Sequence, residues 1–295
     1  MILVTTPTGD IGARVLSRLA QNDCPLRVVV RDPAKIPRDL RGRVDVVEGS
    51  HGDLSVIARA LARIKSIFWL PPGSPASASA QEAYVDLARP FCAALAGSQV
   101  RHVVGVSALG RGWPKPAGHV TASLHMDDMI AETGVAYRAL ACASLMDKLK
   151  RQADVIRKGD VFYQPTARDL KLPHVAKADV ADVAARLLMN TNLSGVDTIP
   201  LLVPENLSFA EIASNMTSIL GRPIRFREMS MDDFGGMMQA SGASEGMAAA
   251  MGEMFAAKNE GVDAMVEPPS RATTPATFRQ WYEEELRPVL SCNLQ

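Results

Sequence analysis

The chain has 295 residues, 47% hydrophobic and 22% charged, which is enough apolar material for one large core or two fused lobes. Its 32 basic and 32 acidic residues cancel, so the charge pattern predicts no binding to nucleic acid or to an anionic membrane surface. Four scattered cysteines form no Cys-x-x-Cys pair or Cys/His cluster, so zinc and a disulfide framework are unsupported. With no basic-then-apolar leader and no bilayer-length apolar run, the predicted location is the cytoplasm.

The amino-terminal stretch predicts a strand, a tight turn and a helix that cradle a nucleotide. Residues 1–5 are mostly apolar, 6–12 are small or polar, and 13–20 continue as a helix. Such a turn points backbone N–H groups at a phosphate, and the helix N-terminus adds partial positive charge. Gly9 allows close approach to a pyrophosphate, and Gly12 allows the helix to pack on the strand. The expected cofactor contacts in this turn are Thr6, Thr8, Gly9, Asp10, Ile11 and Gly12.

The glycine fingerprint of this turn is incomplete. In a G-x-x-G-x-x-G pattern the first glycine falls at Thr6, and a β-branched residue rarely takes positive φ. We therefore expect the turn to be closed differently, for example with Pro7 fixing its backbone, or the cofactor to bind less tightly. Two glycines alone are equally compatible with an ordinary strand–turn–helix unit.

The end of the second predicted strand favours NADP as the cofactor. The apolar run 26–30 is followed by Arg31, with Lys35 nearby. In a Rossmann unit an acid at this position favours NAD, whereas an arginine accommodates the 2′-phosphate of NADP. The competing interpretation of Arg31 is an ordinary solvated surface charge.

Alternating strands and helices predict an α/β fold with a doubly wound parallel sheet. Further strands are expected at 44–49, 67–70, 100–106 and 134–140, and helices at 55–62, 81–96, 121–133 and 178–188. Ligands of such sheets lie beyond the carboxyl ends of the strands. Further cofactor contacts are therefore expected at Ser50, Leu70, Pro71, Pro72 and Ser107. The prolines are also compatible with simple strand termination, and Ser107 with capping of a strand end.

The carboxy-terminal part predicts a smaller, mainly helical lobe. Ser208 can cap a helix through Leu220, the segment after Pro223 up to Met265 is rich in methionine, and Thr274 with Pro275 opens a terminal helix. The methionines share helical faces, which fits either a core or dimer surface or a flexible roof over a substrate pocket. We expect a dinucleotide-binding domain at 1–150 and a substrate-binding lobe at 151–295, with about 174–203 returning to the sheet.

The succession of these motifs resembles the NmrA-like family of atypical short-chain dehydrogenases. The resemblance rests on residues 3–5 and 8–12, 30–33, 103–110, 134–137, 178–181 and 220–223. It implies NADP binding in the amino-terminal lobe and a small lobe closing over the nicotinamide. The family includes quinone and triphenylmethane-dye reductases, and also redox-sensing regulators without turnover. Three positions depart from the family pattern: Thr6 replaces a glycine, Ala141 an arginine and Lys148 an asparagine.

No tyrosine in the chain is followed four residues later by lysine, so the usual proton donor of short-chain dehydrogenases is missing. In the register of the family, the tyrosine and lysine positions of this motif fall near His119 and Ser123. His119 could donate a proton, with an ordinary pKa of about 6.5, although a loop histidine is more often merely solvated. Alternatively, hydride addition to an electron-poor acceptor needs no enzyme-supplied acid. Ser107 is a third catalytic candidate. No G-x-S-x-G elbow is present, which disfavours a hydrolase.

The predicted function is therefore an NADPH-dependent reductase of a small, apolar, electron-poor substrate such as a quinone or conjugated carbonyl. The alternative is a non-catalytic NADP sensor that binds a protein partner. No membrane or nucleic-acid partner is expected, and a homodimer is compatible with the methionine-rich surface.

Overall fold

The computed structural model describes residues 1–265 and 273–291. The strands are β1 (Ile2–Val4), β2 (Leu26–Val30), β3 (Val44–Glu48), β4 (Ser66–Trp69), β5 (His102–Ala108), β6 (Ala136–Cys142), β7 (Ser144–Leu145), β8 (Val161–Gln164), β9 (His174–Val175), β10 (Val196–Leu201) and β11 (Arg225–Glu228). The α-helices are α1 (Asp10–Gln21), α2 (Leu54–Leu61), α3 (Leu87–Leu95), α4 (His119–Glu132), α5 (Ala153–Gly159), α6 (Lys177–Met189), α7 (Phe209–Leu220), α8 (Met231–Ala240), α9 (Glu245–Asn259), α10 (Phe278–Trp281) and α11 (Arg287–Ser291).

Seven strands form one parallel sheet in the order β10-β6-β5-β4-β1-β2-β3. The chain leaves β1 toward β2 and β3, then crosses back to β4 on the other side, so the strand order reverses between β1 and β4. A crevice opens at such a reversal, beyond the carboxyl ends of the strands. The predicted doubly wound α/β fold is confirmed, and β10 adds a strand at the edge beyond β6.

Both faces of the sheet are covered, because successive side chains of a strand point to opposite sides. Ile2 and Val4 belong to the core formed with α1 and α6. Leu3, between them, belongs to the core formed with α2, α3 and α4. The helices α1 and α6 also carry an ion pair between Arg18 and Asp182, with 2.5 Å between the nitrogen and oxygen.

A third core holds the carboxy-terminal lobe together. Phe162 of β8, Phe209 of α7 and Phe226 of β11 pack against one another, with ring centroids 5.2–6.2 Å apart. The cap of α7 is the predicted one: the Ser208 hydroxyl accepts from Glu211 N, and the Glu211 carboxylate accepts from Ser208 N. Within the described residues, no helix is both long and apolar enough to cross a bilayer.

The methionine-rich segment forms α8 and α9, which pack on the start of α4. Phe234 and Phe255 meet edge to face at 5.0 Å, and Met254 is buried with them. Gly118, at φ 51°, precedes α4, and a Cβ there would lie 2.1 Å from the carbonyl oxygen of Ala250. Glycine at this position lets α9 pack directly against α4. The methionine pattern therefore marks mainly a core face, with Met237 as an exception at 45% exposed.

The predicted start of the terminal helix is wrong. Thr277, rather than Thr274, caps α10, through a reciprocal pair of bonds with Gln280. Thr274 is buried and donates its hydroxyl proton to Leu202 O at 2.9 Å, which ties the chain to the segment after β10. Capping boxes require Glu or Gln three residues on, and Thr277 with Gln280 satisfies that spacing.

Candidate cofactor and substrate site

The turn between β1 and α1 is closed without the first glycine of the fingerprint. Gly9 N donates to Thr6 O at 3.1 Å, and Thr6 is not among the non-glycine residues with positive φ. The first intrahelical bond runs from Ala13 N to Gly9 O at 2.8 Å, and no side chain caps the helix. The N–H groups of the first turn of α1 therefore have no intrahelical acceptor and are suited to bind an anion.

Gly12 is the point at which α1 touches this turn. A Cβ at residue 12 would lie 1.9 Å from Thr6 O, whereas one at Gly9 would lie 3.6 Å from the same oxygen. The first distance is a clash with backbone and the second an ordinary contact. Any side chain at residue 12 would therefore push the helix away from the turn.

Two residues that the sequence reasoning missed brace the turn from neighbouring strands. The Thr5 hydroxyl donates to Phe68 O at 3.0 Å and accepts from Leu70 N at 3.1 Å, which fixes the end of β1 to the end of β4. Nε2 of His51, just after β3, donates to Thr5 O. Burial lowers the pKa of His51, so its ring stays neutral. The available signals were a polar residue directly after the apolar strand β1 and a histidine in the turn after β3.

The predicted ribose-side residues lie along the same edge of the sheet. Arg31 follows β2 and Ser50 follows β3, and both side chains are exposed; β2 pairs with both β1 and β3. Asp32 is exposed as well, and one of its carboxylate oxygens accepts from Ala34 N at 3.0 Å and caps the short helix Pro33–Lys35. Lys35 is exposed at the end of that helix.

Leu70, Pro71 and Pro72 follow β4, on the other side of the reversal. Pro71 is buried and Leu70 and Pro72 are partly buried. Because β4 pairs in parallel with β1, this segment and the turn after β1 lie side by side at the carboxyl end of the sheet. The structure therefore gathers the expected contacts of the turn, the ribose side and the proline segment along one edge.

Ser107 lies near the end of β5, with its hydroxyl engaged below the surface. It donates to one carboxylate oxygen of Asp127, and the Tyr137 hydroxyl donates to the other at 2.6 Å. All three residues are buried. Burial raises the pKa of Asp127 to about 6, against the lowering effect of these hydrogen bonds. Sequence reasoning missed Asp127, which no motif marks.

His119 begins α4, and its ring meets Tyr84 edge to face at 4.8 Å. Burial, followed by the charges of Lys148 and Lys258, lowers the pKa of His119 to about 4. The imidazole is therefore neutral near pH 7 and a weak proton donor. Ser123 lies one turn further along α4 and is buried.

A small cavity of about 30 Å³ lies between the segment after β6 and the carboxy-terminal lobe. Its polar lining includes Lys148 and Lys258, and its apolar lining includes Leu149, Phe209 and Phe255. Lys258 is buried and binds both carboxylate oxygens of Asp263, at 2.6 and 2.8 Å. Because β5 and β6 are neighbours, the cavity and His119 lie at the same edge of the sheet as the crevice.

The chemistry of the site is that of a dinucleotide-binding protein. Among the residues that the structure describes, no group of three His, Cys, Asp or Glu side chains could hold a metal ion. The unbonded N–H groups of α1, the exposed arginine after β2 and the reversal of strand order together define a Rossmann protein with a nucleotide crevice.

Comparison with known proteins places the chain within this class. It belongs to the NAD(P)H-binding family, whose model matches residues 7–191. It is 28% identical over 257 residues to an NAD(P)H azoreductase of Xenophilus azovorans. The matched region covers 87% of this chain and 86% of the relative. It is 29% identical over 234 residues to the (4-alkanoyl-5-oxo-2,5-dihydrofuran-3-yl)methyl phosphate reductase of Streptomyces griseus subsp. griseus, covering 79% and 78%.

A solved structure shares the fold over nearly the whole chain. The NADPH-dependent quinone oxidoreductase of Escherichia coli, complexed with NADPH, superposes with a TM-score of 0.77 at 21% identity and covers 97% of this chain and 100% of that one. The predicted resemblance to reductases with a dinucleotide-binding lobe is thus confirmed, and so is the assignment to the NAD(P)H-dependent oxidoreductases.

Proposed function

We propose that the protein is an NADPH-dependent reductase of a small, apolar, electron-poor acceptor. The observation that carries this proposal is the first turn of α1, whose N–H groups have neither intrahelical acceptors nor a side-chain cap at the point where the strand order reverses. A pyrophosphate satisfies such groups. The azoreductase and the furanone phosphate reductase, both named as reductases, support a role in hydride transfer.

The ribose side supports NADPH rather than NADH. Arg31 has no ion pair among the described residues and lies exposed after β2. The adjacent acid, Asp32, uses one carboxylate oxygen to accept from Ala34 N, so part of its hydrogen-bonding capacity is already taken. A guanidinium without a partner suits a 2′-phosphate, with Lys35 as a second cation close by in sequence.

The protein groups around the acceptor side favour a substrate that needs no acid from the enzyme. Bound NADPH supplies a hydride. The imidazole of His119 is neutral, and burial raises the pKa of Tyr84 to about 12. Hydride addition to a quinone or a conjugated carbonyl leaves charge on an oxygen that water can protonate, so the chain needs only to orient the acceptor and exclude competing reactions.

The test is turnover. The purified chain is mixed with NADPH and a panel of neutral quinones, and nicotinamide absorbance is followed. Oxidation that depends on both the quinone and the protein supports the reductase. Tight NADPH binding without oxidation by any acceptor contradicts it and supports the non-catalytic sensor, for which binding to a protein partner would then be sought.

A further inference from the structure

Lys148 is an ammonium group held where the family pattern has an asparagine. It lies in the short helix Met146–Gln152, directly after β6 and β7. Its side chain is partly buried, and its Nζ lies 5.9 Å from the centroid of the Phe255 ring. It lines the cavity described above together with Lys258. A lysine at this depth is costly unless it meets an anion.

The charges around the cavity do not balance. Lys258 is neutralised by its two bonds to Asp263. His119 is neutral near pH 7 because of its lowered pKa. Among the described residues, Lys148 has neither an ion pair nor a hydrogen bond from its ammonium. Within the part of the chain that the structure describes, the cavity therefore carries about one uncompensated positive charge, beside apolar side chains and the polar side chains of Gln164 and His174. Consistent with this, burial and the charge of Lys258 lower the pKa of Lys148 to about 8.

A purely structural role does not account for this arrangement. Phe209, Phe255 and Leu149 form an apolar wall, against which a methionine or leucine would pack without the cost of desolvating a charge. A cation–ring pair elsewhere in the chain has a much smaller desolvation cost. Lys115 lies 5.9 Å from the Trp113 centroid, is 62% exposed and pairs with Glu260. Lys148 has the same distance to its ring, but it is less exposed and has no acidic partner among the described residues.

We propose that the cavity lined by Lys148 and Phe255 is the subsite for a carboxylate or sulfonate group on the acceptor. This inference rests on the proposed reductase function and narrows its substrate class to apolar, electron-poor acceptors with one anionic substituent. Phe255 and Leu149 contact the apolar body, and Lys148 pairs with the anion. At about 30 Å³ the cavity holds little more than one water, so the apolar wall must shift as the ligand enters, as lids over active sites commonly do.

The first test compares two acceptors that differ in charge, 1,4-naphthoquinone and its 2-sulfonate. For each protein, kcat/KM is measured for both quinones, and the sulfonate-to-neutral ratio is calculated. In Lys148→Met this ratio falls about 10- to 100-fold relative to the native chain. Lys148→Arg keeps most of the ratio, and the control Lys115→Met leaves it unchanged. An unchanged ratio in Lys148→Met, or an equal fall in Lys115→Met, overturns the proposal.

The second test separates this proposal from the proposed function. Naphthalene-2-sulfonate accepts no hydride, and its binding to the NADP-loaded chain is measured by calorimetry. Binding by the native chain that is lost in Lys148→Met and retained in Lys148→Arg supports the anion subsite even if neither quinone is reduced. Absence of binding by the native chain overturns the subsite even if both quinones are reduced.

Discussion

The proposed cofactor side and the proposed acceptor side of the crevice are built in different ways. On the proposed cofactor side, consecutive residues 5–12 form the turn, and we propose that their backbone groups bind the cofactor. On the acceptor side, His119, Lys148 and Lys258 come from α4, the segment after β6 and α9, which are far apart in sequence. The first side therefore depends on glycine and backbone geometry, whereas the second depends on burial and on charges that meet only in the folded chain.

Gly12→Ala gives the largest expected effect, because it places a Cβ 1.9 Å from Thr6 O. We expect a loss of about 3 kcal/mol or more in the free energy of unfolding, at the upper end for overpacking, and NADPH affinity reduced by more than about 100-fold. Urea unfolding and fluorescence titration measure the two.

Gly9→Ala is the matched control, since its Cβ would make only an ordinary 3.6 Å contact at a φ of −87°. Its stability should change by less than about 1 kcal/mol. Equal unfolding free energies for Gly12→Ala and the native chain would show that the close packing of residue 12 on Thr6 does not determine the geometry of this turn.

Asp127→Asn tests whether burial raises the pKa of the carboxyl group beneath the proposed acceptor side. The native pKa of Asp127 is raised to about 6, above an unfolded value of about 3.9. The folded state therefore binds the proton more tightly, and native stability from this group is lost as the pH rises from about 4 to 6. A difference of roughly two pKa units corresponds to about 2.7 kcal/mol.

The measurement is the difference in unfolding free energy between variant and native chain at pH 4 and pH 8. Between pH 4 and pH 8, the unfolding free energy of Asp127→Asn should rise relative to that of the native chain by about 2.7 kcal/mol. For the exposed neighbour, Asp128→Asn should change this difference by less than about 1 kcal/mol. A pH-independent difference for Asp127→Asn would contradict the burial argument.

Arg31→Ala sharpens the assignment of the cofactor side. Removing the only charge-assisted bond expected from this arginine to a 2′-phosphate should weaken NADPH binding about 10- to 100-fold while leaving NADH binding nearly unchanged. Arg101→Ala, exposed before β5 at the opposite edge of the sheet, is the control for a general charge effect. An equal loss for both nucleotides would place the role of Arg31 outside phosphate recognition.

His119→Gln gives the smallest expected effect. Because the pKa of His119 is lowered to about 4, its protonated form is rare above pH 6, and kcat of the native chain should show no inflection from this group between pH 6 and 8. The substitution should lower kcat by less than about 10-fold. A steeper loss together with an inflection near pH 6.5 would restore His119 as the proton donor.

The contrast between the two sides also explains what could be read from the sequence. The parallel sheet, the turn at Gly9 and Gly12 and the cap of α7 follow from local patterns, namely apolar runs, glycine spacing and a Ser-x-x-Glu box. The buried Asp127–Tyr137 pair and the Lys148–Phe255 contact join residues 10 and 107 positions apart, and no local pattern fixes their depth or their pKa. The cap at Thr277, in contrast, does follow a local pattern, because Gln280 completes a Thr-x-x-Gln box; the prediction placed the helix start at Thr274 instead.

Titration of the native chain with NADPH and with NADH tests the central claim, that the α1 turn and Arg31 together form an NADP site. The account predicts saturable binding of both, with NADPH tighter by at least about tenfold. Equal or tighter binding of NADH would contradict the role of Arg31, and failure to bind either nucleotide would contradict the cofactor site itself.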